Sequence, residues 1–105
     1  MIHVLAEIRT KPGMREHFIA DLRGLEPEVR AERGCIEYGG SVDMPTAISA
    51  QAPLRDDVVM VIEKWEDEAA LEAHLDAPHM HAHRARVKDF VAGVSIHVLR
   101  DSSTS

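Results

Sequence analysis

The 105-residue chain has a single cysteine, Cys35, so no disulfide can form within it. That usage suits a reducing cytoplasm. Basic residues are outnumbered 12 to 18, for a net charge of −6 with histidine neutral. A nucleic-acid binder needs a basic stripe. None is present, since Arg23, Arg30 and Arg33 alternate with Glu26, Glu28 and Glu32. The longest apolar run, Val58 to Ile62, falls far short of the ~20 residues that span a bilayer. The opening Met1-Ile2-His3-Val4 lacks the charged-then-apolar order of a signal peptide. Gly39-Gly40 is the only glycine pair, and no glycine-rich phosphate loop exists. There is also no Cys-x-x-Cys site and no Gly-x-Ser-x-Gly elbow.

What is present reads as one globular domain over residues 1–100, with a polar tail at 101–105. The 45% hydrophobic content is too high for a disordered chain. A monomer this small buries only ~60–65% of its unfolded surface, which is thin cover for a ligand-holding chain and points to a partner subunit.

Ile2, Val4, Ala6 and Ile8 alternate with other residues and predict a strand. Phe18, Leu22, Leu25 and Val29 form one helical stripe, in which Pro27 predicts a kink near Gly24 to Pro27. Gly34 ends that helix. A second strand runs from Cys35 to about Asp43, and Thr46 to Gln51 reads as a short extra edge strand. A third strand covers Val58 to Trp65. Asp67 caps a short helix, Ala69 to Leu75, and Pro78 opens another that buries Met80, Val87 and Val91 and ends at Gly93. Val94, Ile96 and Val98 make the last strand.

The order is β-α-β-β-α-β, with the second helical segment split in two. That is an α+β, ferredoxin-like pattern: a four-stranded antiparallel sheet with helices on one face. The third strand holds five consecutive apolar residues, so both its faces want cover. A second copy of the chain is the expected cover for the face without helices.

Three residue groups carry possible chemistry. Glu63 and Trp65 share a face of the third strand, where Trp65 would wall an aromatic pocket and Glu63 orient a neighbour. His79 and His83 share a helix face and could chelate a metal, but spacing offers no third ligand. A general base, His74 or His79, is the better reading of the histidine excess, because a pKa near ~6.5 suits proton transfer. Tyr38 could offer its phenol to a polar ligand, and Cys35 reads as a small core residue.

Several of these segments together resemble the antibiotic biosynthesis monooxygenase family of dimeric α/β barrels. They are Ala6 to Gly13, Gly34-Cys35 with Tyr38, Glu63-Lys64-Trp65-Glu66, and Leu71-Glu72-Ala73-His74-Leu75 followed by Pro78-His79-Met80. The match runs from residue 4 to about 99. Val42-Asp43, Ser49, Gln51 and the Asp57-to-Glu63 strand are similar to the family's quinol-oxidising branch.

The resemblance implies a homodimer acting on a small aromatic substrate. It also implies a reaction without flavin, haem or metal, in which a deprotonated quinol or phenol passes an electron to dioxygen. His74 or His79 would be the base, and Trp65, Tyr38, Glu63 and Met80 would contact the substrate. Haem degradation fits less well, because Ile8 stands where such relatives carry asparagine. A non-catalytic quinone-binding module and a signal-molecule isomerase are the alternatives.

Overall fold

The computed structural model describes residues 1–103, and the last two residues of the expected polar tail lie outside the described residues. The element order is β1 (Ile2–Thr10), α1 (Arg15–Arg30), β2 (Cys35–Ser41), β3 (Val58–Trp65), α2 (Glu68–Leu75), α3 (Pro78–Val87) and β4 (Val91–Arg100). The strands form one open antiparallel sheet in the order β2-β3-β1-β4. The expected ferredoxin-like arrangement is therefore present, with the second helical segment divided into α2 and α3. A barrel is not closed within one chain.

Antiparallel partners share a face of the sheet. Val4 pairs with Glu63 and Ala6 with Val61, so these residues and Trp65 point toward the helices. Phe18, Leu22, Leu25 and Val29 are the buried residues of α1 and pack onto that face. The helix continues through Pro27, which has no N–H to return to the carbonyl of Arg23. Side chains tie its C-terminal half to β2 instead. Arg30 Nε donates to the Tyr38 carbonyl at 2.9 Å, and Glu26 Oε2 accepts from Gly40 N at 2.9 Å. Leu22 occupies the space a side chain at Gly40 would need.

Two expectations change. Residues 46–51 form no strand. The Gln51 side chain bonds the Met44 carbonyl at 2.7 Å and Thr46 N at 3.1 Å, closing a loop on itself where a strand would need a neighbour. Asp43 and Arg55 clamp the ends of this connection through paired contacts at 2.9 and 3.0 Å, and Arg55 reaches Glu7 on β1 at 2.7 Å. The second strand accordingly stops at Ser41.

The last helix ends at Val87, not Gly93, and Val91 belongs to β4, where it pairs with Thr10. Val87 closes the helix's buried stripe of Met80, His83 and Val87, and two more residue pairs to β1, Arg9 with Gly93 and Thr10 with Val91, reward an earlier strand start.

On β3, Val59 and Val61 are buried against the helices, while on the other face Val58 is buried, Met60 is half-buried and Ile62 is 40% exposed. Further uncovered apolar surface lies on edge strand β4. There Val94, Ile96 and Val98 face the helix side but sit more than half exposed, beyond the reach of the helices.

Candidate functional site

A cavity of about 370 Å³ opens between the helices and the exposed half of the sheet. Its floor is Ala6, Ile8 and Val61, its far wall is Phe18, Leu22 and Met80, and Val94 and Ile96 form the rim. Such a mainly apolar chamber with a few converging polar groups is the ordinary form of a small-molecule site. The polar groups are Tyr38, Glu63, His74, His83, Arg84 and Lys88.

His74 is held at the inner end. Asp67 caps α2 by accepting from Ala70 N at 2.8 Å, and the helix delivers His74, almost wholly buried, over the sheet. Its ring stacks obliquely on Trp65 with centroids 4.5 Å apart and meets Tyr38 edge-on at 5.5 Å. Nδ1 lies 2.9 Å from Glu32 Oε2. A carboxylate only accepts, so Nδ1 carries the hydrogen and Nε2 keeps its lone pair. Nε2 in turn lies 3.8 Å from Glu63 Oε1, beyond hydrogen-bond length.

Burial has opposite consequences for these two groups, because it penalises whichever form is charged. It pulls His74 below its ordinary value, against the upward pull of Glu32. It pushes Glu63 up to about 7, against the hydrogen bond that Trp65 Nε1 donates to Oε1 at 2.9 Å. Burial also raises the Tyr38 phenol, which keeps it a donor, and raises the Cys35 thiol away from nucleophilic thiolate.

The residues singled out in the sequence thus divide into two layers. His74, Glu63, Tyr38 and Met80 line the cavity. Trp65 and His79 do not. Trp65 is fully buried behind His74 and Glu63, where it supports both and walls nothing. His79 Nε2 lies 2.6 Å from the same Glu32 oxygen that holds His74. The His79/His83 pair converges on no common point, since His83 Nδ1 bonds Asp21 at 2.6 Å. Among the described residues, no group of three or more His, Cys, Asp or Glu is placed to hold a metal ion.

Glu32 is the central residue that sequence reasoning missed. It sits in the turn after α1, 42 and 47 positions from its two histidines. No local spacing connects them. His83 was noticed only as a possible ligand, and its carboxylate partner Asp21 carried no signal beyond being on α1.

Comparison with known proteins places the chain in a family. The probable quinol monooxygenase YgiN of Escherichia coli K12 is 41% identical over 102 residues, covering 95% of this chain and 97% of that protein. The crystal structure of PA3566 from Pseudomonas aeruginosa superposes with a TM-score of 0.79 at 27% identity, covering 97% of this chain and 94% of that one. A solved structure described as an antibiotic biosynthesis monooxygenase shares the fold at a TM-score of 0.79 and 22% identity, over 96% of this chain and 98% of that one. The antibiotic biosynthesis monooxygenase profile matches residues 1–86. This chain belongs to the antibiotic biosynthesis monooxygenase family.

Proposed function

We propose that this protein is a quinol-type monooxygenase that uses dioxygen without flavin, haem or metal, with His74 as its base. The observation that carries this reading is the Glu32–His74 hydrogen bond. It fixes the tautomer that leaves Nε2 free at the inner end of an apolar cavity. A base of this kind contributes when its pKa lies near or below the working pH and its geometry is preset. The name of the relative YgiN points to the same substrate class.

In the proposed reaction, His74 Nε2 takes the proton of one quinol hydroxyl. The electron-rich quinolate gives an electron to dioxygen, and the two radicals combine to form a ring C–O bond. The O–O bond then breaks. One oxygen atom stays on the ring, the other leaves as water, and the four electrons that dioxygen takes come from the quinol. Tyr38 donates to the developing oxyanion, the role fixed dipoles fill best in a dry site. Glu63, poised near neutrality, relays a proton beside it. Met80 and Phe18 supply apolar walls.

The exposed β4 residues Val94, Ile96 and Val98 favour a homodimer that covers the rim. The lone cysteine favours the cytoplasm. Among the described residues, no helix is long and apolar enough to cross a membrane.

The test is oxygen uptake with menadiol under conditions of slow autoxidation. Wild type should exceed the no-enzyme rate, and His74→Ala should not. The enzyme reading fails if wild type itself matches the no-enzyme rate. Tight quinone binding without turnover would identify a binding module instead.

A further inference from the structure

The cavity holds a second imidazole anchored in the same manner as the first. His83, on α3, has a side chain only 8% exposed and lines the cavity. Its Nδ1 lies 2.6 Å from Asp21 Oδ1. Asp21 is itself gripped by Arg86, whose Nε sits 2.6 Å from Oδ2. Burial pushes Asp21 up, but the hydrogen bonds from Arg86 and His83 outweigh it and hold the carboxyl below its ordinary value. It stays an acceptor, so Nδ1 of His83 carries the hydrogen, and in the neutral ring Nε2 bears the lone pair.

Nothing among the described residues hydrogen-bonds that Nε2, and no buried side-chain nitrogen or oxygen there is both sealed off and unpartnered. With the ring packed edge-on against Phe18, the remaining opening for Nε2 is the cavity. The other polar groups on this wall cannot accept a proton. Arg84 is committed to the Leu75 carbonyl at 2.6 Å, and Lys88 is a pure donor.

The two imidazoles belong to separate clusters. His74 stands with Glu32, Glu63, Tyr38 and Trp65, and His83 with Asp21, Arg86 and Phe18. A chamber with an anchored imidazole in each of two walls suits an aromatic with two hydroxyls better than one with a single hydroxyl.

We propose that His83 receives the second hydroxyl of the substrate, so that the cavity selects dihydroxy aromatics over their mono-ethers, with Asp21 and Arg86 as its positioning residues. The proposal rests on the reading of this cavity as a quinol site. A polar site left unpaired by the wrong ligand discriminates more strongly than an apolar one.

The test is calorimetric binding without oxygen, using 1,4-dihydroxynaphthalene and 4-methoxy-1-naphthol. Wild type should bind the diol about tenfold tighter, the scale of one good hydrogen bond. His83→Ala should lose that preference while binding the mono-ether as before. Asp21→Asn keeps the His83 ring but frees its tautomer, and should lose part of the preference. It serves as the second variant if His83→Ala does not fold. Equal wild-type affinity for the two compounds, or equal weakening of both in the variants, overturns the proposal. Because no turnover is needed, the two readings separate. Diol preference without oxygen uptake sinks the monooxygenase and leaves His83 assigned. Turnover without diol preference does the reverse.

Discussion

Glu32 Oε2 is the shared acceptor of two histidines, 2.9 Å from His74 Nδ1 and 2.6 Å from His79 Nε2. Only His74 reaches the cavity. The arrangement is a base, its orienting carboxylate, and a second imidazole that steadies the carboxylate from the side. It predicts a graded series in menadiol oxidation. His74→Ala should lower kcat by ~10²–10⁴, the usual worth of a general base. Glu32→Gln should cost less, because the imidazole stays in place and only the partner that orients it changes. His79→Asn should cost less than either. Steady-state kinetics on the three variants checks the order, and a larger loss in His79→Asn than in His74→Ala would reverse the assignment of the base.

The pH profile follows from the same contacts. His74 must be neutral to accept a proton, and burial lowers its pKa from 6.5. Activity should therefore fall on the acid side, with a midpoint below pH 6.5 in kcat/KM. Glu32 raises the His74 pKa through its hydrogen bond and charge. In Glu32→Gln the acid limb should move to still lower pH even as the plateau drops. An unmoved or upward-shifted limb would mean that another group controls it. The profile repeated in Glu63→Gln identifies any inflection near 7 that belongs to Glu63.

Glu63 also makes a stability prediction. Its folded pKa is raised, from 4.5 to about 7. The folded state therefore binds more protons than the unfolded state across that window, and stability from this group declines as pH rises through it. His74 acts in the opposite sense, because its lowered pKa removes stability as pH falls below 6.5. The difference between Glu63→Gln and wild type isolates the first effect. Glutamine keeps an acceptor for Trp65 Nε1 and has no charge to bury. The variant should gain about 3 kcal/mol relative to wild type between pH 4.5 and pH 7, then level off. Urea melts at four or five pH values measure it, and a flat difference would show that Glu63 ionises normally.

The fold was legible because its signals are local. Alternation in β1, the Phe18-Leu22-Leu25-Val29 stripe and the Asp67 cap each act within a few residues. The errors arose where distant partners decide. Thr46 to Gln51 has strand-like composition, yet the Gln51 amide turns the loop inward. Gly93 looks like a helix end, yet pairing with β1 claims it and Val91 for β4. In the site, His74 stood out by type and Trp65 by sharing a strand face with Glu63. Their division into a lining residue and a support behind it depends on packing that spacing does not encode. Glu32 and Asp21 look like ordinary charged helix residues until the fold brings imidazoles to them.

The turn that carries Glu32 depends on Gly34, which yields a last prediction. Gly34 has φ +82°, in the left-handed region that disfavours side chains. Its carbonyl accepts from Glu66 N at 2.8 Å, docking the turn against the end of β3. A Cβ there would meet Ala70 Cβ on α2 at 2.5 Å. Gly34→Ala thus strains the backbone and pushes apart the two segments that hold Glu32 and His74. Gly13 is the natural control, since its φ is +78° but nothing lies near a Cβ added to it. Gly13→Ala should cost only the backbone term, about 1–2 kcal/mol, or roughly 4–16 °C in Tm for a domain of this size. Its kcat should be unchanged. Gly34→Ala should lose more stability and also lose kcat, because the Glu32–His74 bond is displaced. Thermal melts and menadiol turnover on both variants decide it. Matching kcat values in the two would show that the Gly34 turn sets stability alone and leaves the base in place.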